Sequence, residues 1–87
     1  MLQEKMVVKN STGLHARPAT MLAKLAGRYE SAISLVYNEK TIKLKSMMGL
    51  LGAGIKGGSE VEIICDGADE AAAMAEIREL FATGFGE

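Results

Sequence analysis

The residues with the clearest chemical potential surround the single histidine of the chain, His15, which lies in the run TGLHARPAT at residues 12–20. Pro18 is favoured in the first turn of a helix, so the sequence predicts that His15 stands where a loop enters a helix. The start of a helix carries partial positive charge and unpaired N–H groups, which favour a neutral imidazole and an attached anion. Such a ring is suited to accept a phosphoryl group, whose oxygens the Arg17 guanidinium can hold. A lone histidine in a small domain can also be structural, so these residues permit a phosphate site without identifying one.

The second residue of chemical interest is Ser46, which precedes the apolar segment MMGLL at residues 47–51. Serine is favoured as the N-cap of a helix, where its side chain contributes about 1 kcal/mol. Leu50 and one of Met47 and Met48 are predicted to enter the core. Some of the apolar side chains of this segment are predicted to stay exposed, where methionine adapts to several partners.

The elements that position these residues follow from the hydrophobic periodicity. Period-two alternation predicts four strands, at residues 2–9, 32–37, 41–44 and 60–65. Spacings of three and four predict helices at residues 16–27 and 47–51 and a last helix after Asp69, whose side chain is predicted to cap it. Asn38 and Glu39 predict a two-residue turn between the second and third strands. The order β-α-β-β-α-β-α predicts an α+β fold with helices on one face of an antiparallel sheet.

Length and composition limit the class of protein. With 87 residues, of which 48% are hydrophobic and 24% charged, residues 1–87 are expected to form one small domain with a thin core. Cys65 is the only cysteine, which excludes an internal disulfide and, with one histidine, a Cys/His zinc site, so no metal or cofactor is expected. The first residues contain no apolar signal core, and the longest apolar stretch is interrupted by glycines. A protein of the reducing cytosol with no membrane span is therefore expected.

The charges are balanced in sum but unevenly distributed. Ten basic and eleven acidic residues give a net charge of −1, which disfavours a nucleic-acid binder. Residues 1–56 hold nine of the basic and three of the acidic residues, or +6, whereas residues 57–87 hold eight acids and only Arg78, or −7. Two interpretations remain open: a basic face that attracts acidic partners, or two halves that attract each other within the domain.

Two segments resemble signatures of one family. Residues 13–19, GLHARPA, resemble the active-site signature of HPr, the histidine-containing phosphocarrier of the bacterial sugar phosphotransferase system. Residues 45–50, KSMMGL, resemble the second signature of that family, around its regulatory serine. Both lie at the family's spacing, and the resemblance covers essentially the whole chain and is strongest to members from low-GC Gram-positive bacteria. It implies an open-faced β-sandwich, a four-stranded antiparallel sheet covered on one face by three helices.

The resemblance also implies a role for each matching residue. His15 would accept a phosphoryl group on Nδ1 from phosphorylated enzyme I and pass it to the enzyme IIA unit of a sugar permease, while Arg17 steadies the phosphate charge. The chain would then be a stoichiometric carrier and not an independent enzyme. Ser46 would be the target of an ATP-dependent HPr kinase/phosphorylase, and the seryl-phosphorylated protein would be the corepressor of a catabolite control protein. The partner-binding surface is expected to include Met47, Met48, Leu51, Thr20 and Lys24.

Other functions are compatible with the same fold. The main alternative is a regulatory binding module that acts through Ser46 only, like the Crh paralogues, which lack the histidine; the presence of His15 argues against it. The other options are a carrier in the nitrogen-related phosphotransferase branch and a small adaptor unrelated to phosphate. The sequence departs from the family at Glu39, where many relatives have glycine, and at residues 52–54, GAG, which leaves the length of the short helix open.

Overall fold

The four strands and three helices occur in the predicted order in the computed structural model, which describes residues 1–87. The strands are β1 (Leu2–Val7), β2 (Ala32–Tyr37), β3 (Lys40–Lys43) and β4 (Glu60–Asp66). The helices are α1 (Ala16–Gly27), α2 (Met47–Gly52) and α3 (Glu70–Ala82), and a short 3-10 turn follows at Gly84–Gly86.

The strands form one antiparallel sheet in the order β1-β4-β2-β3. In the central strand β4, Val61, Ile63 and Cys65 point into the core, because alternate residues of a strand face opposite sides of the sheet. The other face carries no helix, and Val7 there is exposed. The open-faced sandwich is therefore confirmed.

The core lies between the sheet and the helices and contains twenty buried apolar residues. Each helix supplies at least one fully buried side chain: Leu22 from α1, Leu50 from α2 and Ile77 from α3. Phe85, in the 3-10 turn, is also fully buried and packs edge-on against Phe81, with ring centroids 5.0 Å apart. The end of the chain is therefore anchored in the core rather than lying free on the surface.

The strand boundaries differ slightly from the predicted ones. β1 ends at Val7 instead of residue 9, although the N–H of Val8 still donates to the Ser59 carbonyl in the loop before β4 (2.9 Å). β3 ends at Lys43, and Leu44 follows it as a buried residue whose N–H donates to the Ile33 carbonyl (2.9 Å).

The predicted hairpin turn is confirmed. Asn38 and Glu39 both have positive φ, 48° and 65°, as a two-residue hairpin turn of type I′ requires. The turn thus forms although Glu39 occupies a position that favours glycine.

The prediction that the Asp69 side chain caps α3 is wrong. Its carboxylate accepts hydrogen bonds from the backbone N–H groups of Glu30 (2.8 Å) and Ser31 (3.0 Å) and from the Ser31 hydroxyl. These donors lie just before β2, so Asp69 ties the start of α3 to the start of that strand. The Glu70 carboxylate, in the first turn of α3, accepts from the N–H of Gly67 instead (3.0 Å).

Candidate functional site

His15 is the N-cap residue of α1, with an extended backbone (φ −80°, ψ −164°) and no side-chain capping bond. The first intrahelical bond runs from Ala19 N–H to the His15 carbonyl (3.0 Å). The N–H groups of Ala16 and Arg17 have no acceptor, and Pro18 has no N–H to donate. The first turn of α1 also contains no acidic residue. Two unpaired donors and the positive end of the helix therefore lie beside the imidazole and are available to an anion.

The loop before α1 is fixed against the segment between α2 and β4. The Leu14 N–H donates to the Ile55 carbonyl (3.0 Å), and the Leu14 side chain is buried. Gly13 reaches this position with φ +71°, and its α-carbon packs against the backbone of Ile55 and Lys56. The position of His15 is therefore set by a tight contact between two backbone segments.

The His15 ring is 42% exposed and contacts a carboxylate from the other end of the sequence. Its Nε2 lies 2.9 Å from Oε2 of Glu87, whose other oxygen accepts from the Thr12 hydroxyl (2.7 Å) and from Nδ2 of Asn10 (3.4 Å). The hydrogen bond from Thr12, followed by the bond and the charge of His15, lowers the pKa of Glu87 below its ordinary value of 4.5. An ionised carboxylate can only accept, so Nε2 carries the hydrogen of this bond, and in the neutral ring the lone pair is then on Nδ1. Nδ1 has no hydrogen-bond partner.

Glu87 is the site residue that sequence reasoning missed. It lies 72 residues from His15 in the chain, so no local spacing or motif connects the two. Only the fold brings the carboxylate to the ring.

A depression of about 660 Å³ adjoins His15. Its walls come from the loop and helix start at residues 11–16, from Leu51 of α2 and from the segment between α2 and β4, where Ile55 is apolar. Lys56 is the only fully charged side chain in it. The depression is open, so a second protein can reach the ring.

The predicted residues of α1 lie along the outer side of this helix. Arg17 and Lys24 are exposed and form no ion pair or hydrogen bond. The Thr20 hydroxyl donates to the Ala16 carbonyl (2.7 Å) and to Sδ of Met47 (3.1 Å). The structure therefore brings Thr20 and Met47 into contact and leaves both cations unpaired.

Ser46 is the N-cap of α2, as predicted, and its Oγ accepts from the N–H of Gly49 (3.1 Å). Leu50 is fully buried, but Met47 and Met48 are 37% and 74% exposed. The prediction that one of these two methionines enters the core is therefore wrong. The six-residue helix has one fully buried position, which Leu50 occupies, while Leu51 is half-buried.

The ion pairs bear on both interpretations of the uneven charge. Arg28 pairs with Glu76 and Arg78 with Glu4 (2.8 Å), so part of the charge is neutralised between the two halves. Arg17 and Lys24 on α1 and Lys56 in the depression form no such pair. The neutralised charges therefore join α3 to β1 and to the residue after α1, whereas Arg17 and Lys56 near His15 form no ion pair.

Two further features of the molecule are negative findings. No three histidine, cysteine, aspartate or glutamate side chains are grouped as a metal ion would require. Every helix is too short or too polar to cross a bilayer.

Comparison with known proteins places these features in context. The family described as PTS HPr component phosphorylation site matches residues 2–83. The structure of HPr from Thermoanaerobacter tengcongensis is 34% identical, with 100% of this chain and 98% of that chain covered and a TM-score of 0.95. The Mycoplasma histidine-containing phosphocarrier protein is 37% identical, with 95% and 96% covered and a TM-score of 0.89. Crh, the catabolite repression containing protein of Bacillus subtilis, was solved as a dimer with a swapped domain. It is 35% identical, with 99% and 94% covered and a TM-score of 0.71.

Proposed function

This chain belongs to the HPr family of phosphocarrier proteins of the phosphotransferase system, and from that premise we propose that it carries a phosphoryl group on Nδ1 of His15. The observation that carries the proposal is an exposed imidazole with a free Nδ1 at a helix start that has no side-chain capping bond and no acidic residue in its first turn. The chain acts as a stoichiometric carrier that is regenerated at each cycle.

The transfer step needs few groups from this chain. The Nδ1 lone pair attacks phosphorus, the N–P bond forms, and the bond between phosphorus and the donor protein breaks with its electron pair going to the donor. The N–H groups of Ala16 and Arg17 and the Arg17 guanidinium have no partner within the protein, so they can hold the charge on the transferred oxygens. Loading and unloading both occur at the same atom, so the ring must be accessible to two partners in turn.

We propose phosphorylated enzyme I as the donor and the enzyme IIA unit of a sugar permease as the acceptor. The proposed docking surface consists of Met47, Met48, Leu51, Thr20 and Lys24, next to Arg17. Its support is the exposure of both methionines and the absence of any ion pair at Lys24 and Arg17. Flexible thioethers suit a surface that must fit more than one partner, and free cations attract acidic ones.

We further propose that Ser46 is a regulatory phosphorylation site. An HPr kinase/phosphorylase would transfer the phosphate, and a catabolite control protein would bind the product. Ser46 is exposed and directly precedes the two exposed methionines, so a phosphate there would place negative charge on the docking surface. The similarity to Crh favours a second candidate function, a binding module in catabolite repression that acts through Ser46 only. We also propose that residues 1–87 form one domain that works in the cytoplasm.

The first experiment tests the carrier role. After incubation with enzyme I and labelled phosphoenolpyruvate, we expect one acid-labile, base-stable label on the protein. His15→Ala should lose the label, while Ser46→Ala, the matched control, should keep it. Label that persists in His15→Ala, or a wild-type protein that takes none, contradicts the carrier proposal and, in the second case, leaves the Ser46-only module as the better description.

The second experiment tests the serine. With HPr kinase/phosphorylase and ATP, we expect one acid-stable phosphate on the wild-type protein and on His15→Ala, and none on Ser46→Ala. Incorporation that is the same in Ser46→Ala would rule out Ser46 as the target.

A further inference from the structure

The Glu87 carboxylate lies at the centre of a small hydrogen-bond network around the His15 ring. It accepts from Nε2 of His15 (2.9 Å), from the Thr12 hydroxyl (2.7 Å) and from the Asn10 amide (3.4 Å). Resting on the proposed carrier function, we propose that Asn10, Thr12 and Glu87 are positioning residues that keep the ring proton of His15 on Nε2 during both loading and unloading.

The network is held from both ends of the chain. The Asn10 side chain is 7% exposed, and its Nδ2 donates to the Gly13 carbonyl (2.6 Å) and to Oγ1 of Thr12 (3.2 Å). The amide is thereby oriented with its N–H group toward Glu87, while its buried Oδ1 has no partner. A buried acceptor without a partner is unfavourable, and the three acceptors that face Nδ2, on Gly13, Thr12 and Glu87, maintain this orientation of the amide.

The C-terminal segment brings Glu87 to this place through its anchor in the core. Phe85 is fully buried with φ 58°, a conformation unfavourable for a bulky residue. After it, the Gly86 N–H donates to the Thr83 carbonyl (3.2 Å) and the Glu87 N–H to the Gly84 carbonyl (3.1 Å). The chain thus bends back immediately after its anchor, and the bend places the carboxylate beside the ring.

The chemical consequence concerns which nitrogen can react. A neutral imidazole has one N–H and one lone pair, and only the nitrogen with the lone pair can attack phosphorus. A carboxylate at Nε2 favours the tautomer with the hydrogen there, which leaves the lone pair on Nδ1. The three residues therefore increase the share of His15 that is ready to react at the exposed nitrogen.

The same proton serves the return step. When Nδ1 binds phosphorus while Nε2 keeps its hydrogen, the ring becomes a cation next to the Glu87 carboxylate. When the acceptor attacks phosphorus, the N–P bond breaks, its electron pair returns to Nδ1 and a neutral imidazole leaves. No proton enters or leaves this chain in either direction, so the cycle needs no general acid or base from the partners at this ring.

The test compares Glu87→Ala and Thr12→Val with the control Glu79→Gln, an exposed acid on α3 whose side chain makes no hydrogen bond or ion pair. Imidazole ¹⁵N shifts of the unphosphorylated protein, followed to a pH at which the ring is neutral, report the tautomer ratio. We expect the ratio of Nε2–H to Nδ1–H to fall about fivefold in Glu87→Ala, which is the effect of losing one ordinary hydrogen bond. It should fall less in Thr12→Val and remain unchanged in Glu79→Gln.

Single-turnover transfer from phosphorylated enzyme I supplies the second measurement. The maximal rate, and not the concentration for half-saturation, should fall in Glu87→Ala and Thr12→Val in the order of their tautomer ratios. A tautomer ratio that is unchanged in both variants overturns the inference even if transfer slows. Because Asn10 is buried, its variants serve only as a supplement. Failure of the carrier proposal can be distinguished from failure of this inference, because it would appear as the absence of label on His15 in the wild-type protein.

Discussion

Replacement of Gly13 by alanine should destabilise the loop that carries His15. Gly13 has φ +71°, in the left-handed region where an L-residue costs about 1–2 kcal/mol. A β-carbon there would overlap the Ile55 carbonyl oxygen and lie 3.0 Å from the α-carbon of Lys56, and neither backbone atom can rotate away. The Ile55 oxygen also accepts the Leu14 N–H, so relief of the overlap must lengthen that bond. The left-handed conformation alone therefore lowers the free energy of unfolding by about 1–2 kcal/mol, and the overlap adds to this loss.

A matched glycine provides the opposite prediction. Gly27 is the last residue of α1, it is exposed, and a β-carbon there would meet no atom within 4 Å. Gly27→Ala should therefore stabilise the protein by up to about 1 kcal/mol, because alanine restricts the unfolded chain and favours the helix. In a domain of this size, 1 kcal/mol corresponds to a change in Tm of about 4–8 °C.

Calorimetry of the two variants decides the question. We expect the left-handed conformation alone to lower Tm by about 4–16 °C in Gly13→Ala, with the overlap lowering it further. In Gly27→Ala, Tm should rise by up to about 8 °C. Phosphorylation by enzyme I at a temperature where both variants are folded should be slower only in Gly13→Ala, since only that change displaces the start of α1. Shifts of the same sign, or Gly13→Ala with the wild-type Tm and rate, would refute the reasoning.

Three further predictions concern stability. Ser46→Ala should lower the free energy of unfolding in urea by about 1 kcal/mol, because the Gly49 N–H loses its acceptor, and Ser46→Asp should restore most of it. Phe85→Ala should lower it by about 3–5 kcal/mol, because it empties a fully buried site against Phe81. The hydrogen bond from the Ser31 hydroxyl, followed by that from the Glu30 N–H, holds the pKa of Asp69 below its ordinary value of 3.8. The ionised carboxylate therefore stabilises the folded protein above that ordinary value, and this stabilisation is lost as the pH falls through the lower pKa of the folded state. The urea midpoint should thus decline on acidification below about pH 5, and less steeply in Asp69→Asn.

Local patterns were sufficient for the elements, and tertiary contacts account for what was wrong. Periodicity located every helix and strand to within about two residues, because amphipathic spacing is a property of neighbouring residues. The capping role predicted for Asp69 was wrong, because its carboxylate instead bonds to the residues before β2, about forty positions earlier. The prediction of a buried methionine in α2 was wrong, because a helix of six residues has room for little more than Leu50 on its inner side.

The candidate site was predictable to the extent that it is local. The junction of loop and helix at His15 follows from Pro18 and the apolar spacing after it, and the structure places the ring there. Arg17 is two residues away and needs no long-range contact. Glu87 could not be found, because nothing in a sequence indicates which distant carboxylate the fold brings to an imidazole.

The starts of α1 and α2 differ in a way that favours the proposed site at α1. At α2, the Ser46 oxygen accepts from the Gly49 N–H, so one of the donors at the helix start is used within the protein. At α1, the N-cap is His15, a residue that provides no capping bond, no acid follows it, and the donors of Ala16 and Arg17 remain unpaired. A capping serine or aspartate at this place would stabilise the helix by about 0.5–2 kcal/mol. The protein forgoes that stabilisation, and a helix start left without a cap at an exposed imidazole is the pattern expected where function conflicts with stability. A phosphoryl group bound to His15 is the anion that would use these donors.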